Sequence, residues 1–257
     1  MAVQTVFRRY EMKYILTPAQ KAAVLDAMAP YMLLDGYGRT TIRNLYFDTD
    51  DYRLIRRSIE KPIYKEKLRI RSYRPVGPDE DVFVEIKKKF KKVVYKRRLV
   101  MPERDALDWL AGGRVNFPPS ASAQIANEIT YFRDHYATLH PVLYLSYARE
   151  AFAPRAGVDI GCVGDFRVTF DEEIFARTDR LTLGAEPGGQ CLLDPNLSLM
   201  EIKAAGGLPL WMVDVLTREQ IHKSSFSKYG TAYRTMKLWT PPLTDGNHPN
   251  KGEYIHA

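Results

Sequence analysis

Residues 65 to 73 read Lys65-Glu66-Lys67-Leu68-Arg69-Ile70-Arg71-Ser72-Tyr73. Alternate residues of a strand share a face. One face of this segment therefore carries Lys65, Lys67, Arg69, Arg71 and Tyr73, and the other carries Glu66, Leu68, Ile70 and Ser72. Like charges about 7 Å apart along a strand repel one another. Such a row demands open water or a compensating anion. A single strand of this kind fits a solvated outer face; its repetition elsewhere in the chain narrows what the fold can be.

The repetition is extensive. In 7–16, Arg9, Glu11 and Lys13 share a face. In 82–90, Glu85, Lys87 and Lys89 oppose Val82, Val84 and Ile86. In 142–152, Arg149 lies with Leu143, Leu145 and Tyr147. In 166–171, Arg167, Thr169 and Asp171 oppose Phe166, Val168 and Phe170. In 197–204, Glu201 and Lys203 oppose Met200 and Ile202. For 92–100 the register stays open: Lys92, Lys96 and Arg98 face the charged side, or Arg97 alone does.

Further strands are expected at 39–48 and 158–163. Helices are expected at 18–32, 50–58, 103–111, 121–137, 209–220 and 226–238, the first announced by Thr17 as N-cap and Pro18 at the first helical position. At least four of them are amphipathic and need an apolar surface to cover. Two architectures fit: an open sheet with its charged face in water, or a closed sheet with a charged lumen and helices outside. The helices favour the second. The expected fold is α+β, a closed antiparallel β-barrel of about eight strands forming a basic tunnel with helices packed around it. One domain is expected over 1–239, followed by a mobile polar tail at 240–257.

The charge balance bears on what such a lumen would hold. There are 38 Lys+Arg against 31 Asp+Glu, a net charge of +7. That excess favours a polyanionic partner. A narrow lumen lined with unpaired cations costs several kcal/mol per charge unless an anion or water compensates it. A linear phosphate chain fits it and duplex DNA does not. The basic run 87–92 alternates with Val84, Ile86 and Phe90 as a sheet does, so no nucleic acid is expected. Two cysteines suit a reducing compartment, and no apolar run approaches the ~18 residues of a membrane span. With no apolar leader at the N-terminus, the expectation is a cytoplasmic protein. There is no Walker A loop, zinc motif or Ser/His/Asp set.

Nine stretches in order make the chain resemble the VTC domain of the polyphosphate polymerases, in the triphosphate tunnel metalloenzyme superfamily: RYEMKY (9–14), RNLYFDT (43–49), KLRIRSY (67–73), FVEIKKK (83–89), YKRR (95–98), YAREAF (147–152), RVTFDEEI (167–174), MEIK (200–203) and SFSKY (225–229). The resemblance implies a tunnel that binds triphosphate and a divalent metal. Related cyclases and triphosphatases open with Glu-x-Glu-x-Lys, whereas this chain has Arg9-x-Glu11-x-Lys13, which looks like the polymerase group.

The resemblance implies that Lys13, Arg69, Arg71, Lys87, Arg149, Arg167 and Lys228 hold phosphates, with Arg9, Lys67, Lys96 and Arg98 as further contacts. Arginine suits bidentate phosphate contacts and lysine a point charge. Glu201, beside Lys203, is the expected ligand for Mn²⁺ or Mg²⁺, which takes one or two carboxylates plus substrate phosphates. Glu11 and Glu85 are expected to position lysines, and Asp171 to pair with a tunnel arginine. Ser227, at the start of the last helix, is placed to meet an anion. Tyr10, Tyr14, Tyr46 and Phe47 are expected in the core. The implied partners are ATP, inorganic polyphosphate and a pyrophosphate or phosphate primer. A membrane-protein partner would have to supply any coupling to export.

Overall fold

The computed structural model describes residues 10–240, apart from 92, 116, 118–120 and 163. Arg9, Lys92 and, apart from Thr240, the expected tail at 240–257 lie outside the described residues. The elements run β1 (Tyr10–Leu16), α1 (Pro18–Met28), β2 (Met32–Leu34), β3 (Thr40–Asp48), α2 (Arg53–Ile59), β4 (Tyr64–Ser72), β5 (Asp81–Phe90), β6 (Val93–Pro102), α3 (Glu103–Leu110), α4 (Ala121–His135), β7 (His140–Pro154), β8 (Phe166–Arg177), β9 (Gln190–Cys191), β10 (Ser198–Ala204), α5 (Leu210–Arg218) and α6 (Lys228–Thr235). The expected strand at 158–163 does not form over its described residues; they are irregular, and Gly161 sits at φ 73°, outside extended geometry.

All ten strands join one antiparallel sheet in the order β1-β10-β8-β7-β3-β4-β5-β6, with β2 added to β7 and β9 to β8. This corrects the expected closed barrel. β1 and β6 are the two ends of the order, and no ladder joins them among the described residues. Side chains approach across the gap instead: Lys87 Nζ of β5, the strand next to the β6 end, lies 3.6 Å from Glu11 Oε2 of β1. β6 is exposed from Val94 to Arg98 and carries Lys96, Arg97 and Arg98. Charge of this kind keeps an edge strand from pairing. The sheet is curled, and its seam is ionic.

The outer face is apolar, and helices cover it. Leu68, Ile70, Val84 and Ile86 pack with Trp109 of α3 and Ile129 and Phe132 of α4. Val168, Phe170, Met200 and Ile202 pack with Val24 and Met28 of α1 and Met212 and Val215 of α5. α1 starts where it does because Thr17 and Gln20 form a reciprocal capping box ahead of Pro18. A third cluster lies on the inner face, where Tyr46, Leu145 and Leu199 pack with Ile55 of α2 and Tyr229 and Ala232 of α6.

Asp48 ties the two helices of that cluster together. Its fully buried carboxylate accepts from the backbone N–H of Leu54 and Ile55 at the start of α2 and from the Tyr229 hydroxyl of α6 at 2.8 Å. Burial pushes the Asp48 carboxyl up, and these donors pull against it. The bond to Tyr229 fixes α6, and with it the direction in which Lys228 points.

Candidate functional site: a cationic lumen

The inner face surrounds a cavity of about 190 Å³. Its lining carries nine cations, Lys13, Lys67, Arg69, Arg71, Lys87, Lys96, Arg149, Lys203 and Lys228, against three carboxylates, Glu11, Glu85 and Glu201. Ser227 and three tyrosines, Tyr46, Tyr147 and Tyr229, complete it. Strand alternation is what gathers them. Cross-strand partners share a face, so Lys13↔Glu201, Glu11↔Lys203, Arg69↔Glu85, Lys67↔Lys87 and Lys87↔Lys96 all point inward together.

One wall, built by β4, β5 and β6, centres on Glu85. Its Oε2 accepts from Arg69 Nε at 2.9 Å and lies 3.8 Å from Arg71 Nη1. Lys96 Nζ lies 2.6 Å from Oε1 as an ion pair. Burial alone would raise the Glu85 carboxyl; Arg69, Arg71 and Lys96 overcome it and hold the group at about 2. Arg71 finds neutral partners instead: Asn44 Oδ1 accepts from its Nε at 2.9 Å and the Tyr147 hydroxyl from its Nη2 at 3.1 Å. Tyr46 accepts from Arg69 Nη1 at 3.0 Å. Lys67 has no carboxylate partner among the described residues and rests over the Tyr229 ring at 5.6 Å. Burial, with Lys65, Lys87 and Lys13, lowers Lys67 to about 8 against an opposing pull from Tyr46.

The facing wall comes from β1, β7, β8, β10 and α6. Arg149 donates to both oxygens of Asp171, at 2.5 and 2.6 Å. Lys228 lies 2.5 Å from Asp171 and 3.4 Å from Glu201. Lys13 lies 3.2 Å from Glu201, and Arg149 approaches it at 3.5 Å. Burial would raise the Glu201 carboxyl, but Lys228, Lys13 and Arg149 hold it well below its ordinary range. Ser227 caps α6 by accepting from Gly230 N–H at 3.3 Å.

Two expected contacts lie elsewhere. Arg167 is on the inner side of β8 but outside the cavity lining, paired with Asp35 at 2.8 Å. Arg98 shares the inner side of β6, which settles the register of that strand, yet it stacks on the Phe83 ring at 4.7 Å and does not line the cavity. Three lining groups were not anticipated in that role. Tyr46 was expected in the core, and Tyr147 and Tyr229 were not singled out. The signal for Tyr46 was its spacing from Asn44, which places it on the polar side of β3.

The carboxylates bear on metal binding. Among the described residues no group of three His, Cys, Asp or Glu converges. A metal cage built from the described residues alone is therefore not on offer. Glu201 sits opposite Thr169, whose buried Oγ1 has no hydrogen-bond partner. One carboxylate beside an unused oxygen fits a divalent ion that arrives with phosphate oxygens.

The sequence matches the family profile described as the VTC domain over residues 8–237. The chain belongs to the VTC domain family. Membership of this family supports a tunnel enzyme that binds polyphosphate or triphosphate. No curated protein matches the sequence. Among solved structures, a putative adenylate cyclase from Bacillus halodurans shares 14% identity over 84% of this VTC chain and 92% of its own, with a TM-score of 0.48. A putative adenylate cyclase from Vibrio parahaemolyticus shares 11% over 87% and 96%, with a TM-score of 0.45. PH1819 from Pyrococcus horikoshii shares 12% over 88% and 99%, with a TM-score of 0.39. No helix among the described residues of the VTC domain is long and apolar enough to cross a membrane.

Proposed function

We propose that this VTC domain is an ATP-dependent polyphosphate polymerase. The γ-phosphoryl of ATP moves to the terminal oxygen of a phosphate chain. The bond from the γ-phosphorus to the β–γ bridging oxygen breaks, a new P–O bond forms to the chain end, and ADP leaves with the bridging oxygen. A pyrophosphate or phosphate primer starts the chain.

The observation that carries this reading is the state of the lumen carboxylates. Glu11, Glu85 and Glu201 are each within ion-pairing distance of one or more cations. None stands free to take a proton from water. A terminal phosphate is already an anion and needs no such base. Its attack needs positioning and charge neutralisation. Arg69 and Arg71, with Lys67, Lys87 and Lys96, hold the phosphates of the donor and chain. Arg149, Lys203, Lys228 and Lys13 bound the opposite side, with Ser227 beside Lys228. Glu201 would hold a divalent Mn²⁺ or Mg²⁺, which when bound neutralises charge on phosphate oxygens.

The test is incubation of the purified protein with ATP and Mn²⁺, with and without pyrophosphate, and polymer length read on a gel. Long-chain product supports the reading. Phosphate release without polymer would assign a triphosphatase on the same tunnel. Tight anion binding with no turnover would assign a binding module. Glu201→Gln should abolish synthesis while leaving the protein folded.

A further inference from the structure

The inner-face cations of β4 and β5 continue past the cavity. Register sets Arg69 opposite Glu85, Lys67 opposite Lys87 and, one rung further out, Lys65 opposite Lys89. Rungs on one face repeat about every 7 Å. Like charges directly opposite across an antiparallel pair destabilise it, and here two such rungs lie in succession. Lys87 has Glu11 at 3.6 Å. The outer rung has no carboxylate among the described residues. Lys65 Nζ donates to the Ser58 carbonyl at 3.0 Å, and exposed Lys61 follows on the same side of the strand end. Burial, with Lys89, Lys87 and Lys61, lowers Lys65 below its ordinary value.

Another inner-face cation outside the cavity is treated differently. Arg167 of β8 is neutralised by Asp35. The Lys65–Lys89 rung, at the start of β4 and the end of β5, has no such partner among the described residues.

We propose that Lys65 and Lys89 form an outer subsite for a linear inorganic polyphosphate, holding the part of the chain that extends beyond the lumen. The ligand class follows from the geometry. A triphosphate group is served by the lumen cations. A guest that also meets the outer rung must carry negative charge at successive points along a line. The subsite rests on the phosphate-chain reading of the lumen and extends it by one rung of β4 and β5.

The experiment compares inorganic tripolyphosphate with long-chain polyphosphate, each titrated against the full-length protein by calorimetry. Lys89→Ala and Lys65→Ala/Lys89→Ala are the variants, and Lys88→Ala is the control, because Lys88 pairs with Glu128 at 2.8 Å on the other face. The single variant guards against disturbance of α2, since Lys65 also holds Ser58. The double variant should lose about tenfold in affinity for the long chain, keep its affinity for tripolyphosphate, and recover with arginine at both positions. Equal loss for both ligands, or no loss for either, overturns the subsite. A wild-type protein that binds neither ligand overturns the lumen reading itself, a result the variants cannot mimic.

Discussion

The two walls of the lumen carry similar numbers of cations and treat them in opposite ways. On the wall of β1, β7, β8, β10 and α6, Arg149 and Lys228 share the buried Asp171, and Lys13, Arg149 and Lys228 surround Glu201. That wall is close to self-neutral. On the wall of β4, β5 and β6, Arg69, Arg71 and Lys96 divide one carboxylate, Glu85, and Lys67 has none. Taking a charge out of water without a partner costs several kcal/mol. The first wall meets that cost within the chain, and the second leaves part of it for a guest. On the proposed function, the first wall holds its shape and the second holds phosphate.

Variants can break this contrast. The largest effect is expected for Arg69→Ala with Arg71→Ala. ATP turnover should fall by about two orders of magnitude or more, while circular dichroism shows the protein still folded. Surviving turnover would mean that phosphate sits on the other wall. Asp171→Asn is the converse. It leaves Arg149 and Lys228 buried beside a neutral amide, so urea denaturation should show a loss of about 3–5 kcal/mol. Unchanged stability would show that the self-neutral wall is not what holds the fold.

The third effect is on pH dependence. Burial alone would raise the Tyr46 phenol, but Arg69, Lys67 and Arg71 bring it down to about 8, near the value of about 8 for Lys67. As pH rises through this value, Lys67 loses positive charge and Tyr46 gains negative charge. Both changes weaken anion binding, so KM for ATP should climb above about pH 8. Bound phosphate favours the protonated forms, so kcat should respond less. Tyr46→Phe should flatten the climb, and a KM that is level across the range would remove these two groups from the binding wall. The same shift acts on stability with a definite sign. The folded pKa of Lys67 lies below its unfolded value, so the cost of its buried charge is present below about pH 8 and is relieved as pH rises. The smallest effect is expected for Arg167→Ala. Arg167 is half exposed and paired with Asp35, so turnover should change by about twofold at most. A large loss would extend the guest-holding surface to β8.

Alternation of charge and apolar residues made the faces of the strands legible, and hence most of the lumen. Lys13, Arg69, Arg71, Lys87 and Lys203 follow from parity, whereas Arg149 shares its parity with Leu143 and Leu145 and was carried by the resemblance alone. Distance along a face is another matter. Arg167 has the right parity but sits beyond the cavity, and its partner Asp35 comes from a distant turn that parity does not locate. Closure was equally hidden. A sequence records which side of a strand is charged, not whether the first strand finds the last. Tyr46 is buried in the core as expected, and its hydroxyl gives it a second use because an arginine is opposite.

The ionic seam has a consequence of its own. The girth of a fully hydrogen-bonded barrel is fixed by strand number and shear. Here one closing link is a contact between Glu11 and Lys87, whose side chains are 31% and 44% exposed. Such a contact weakens with added salt, and a phosphate bound to Lys87 competes with Glu11 for it. On the proposed function, a chain drawn along the lumen would loosen the clasp it passes.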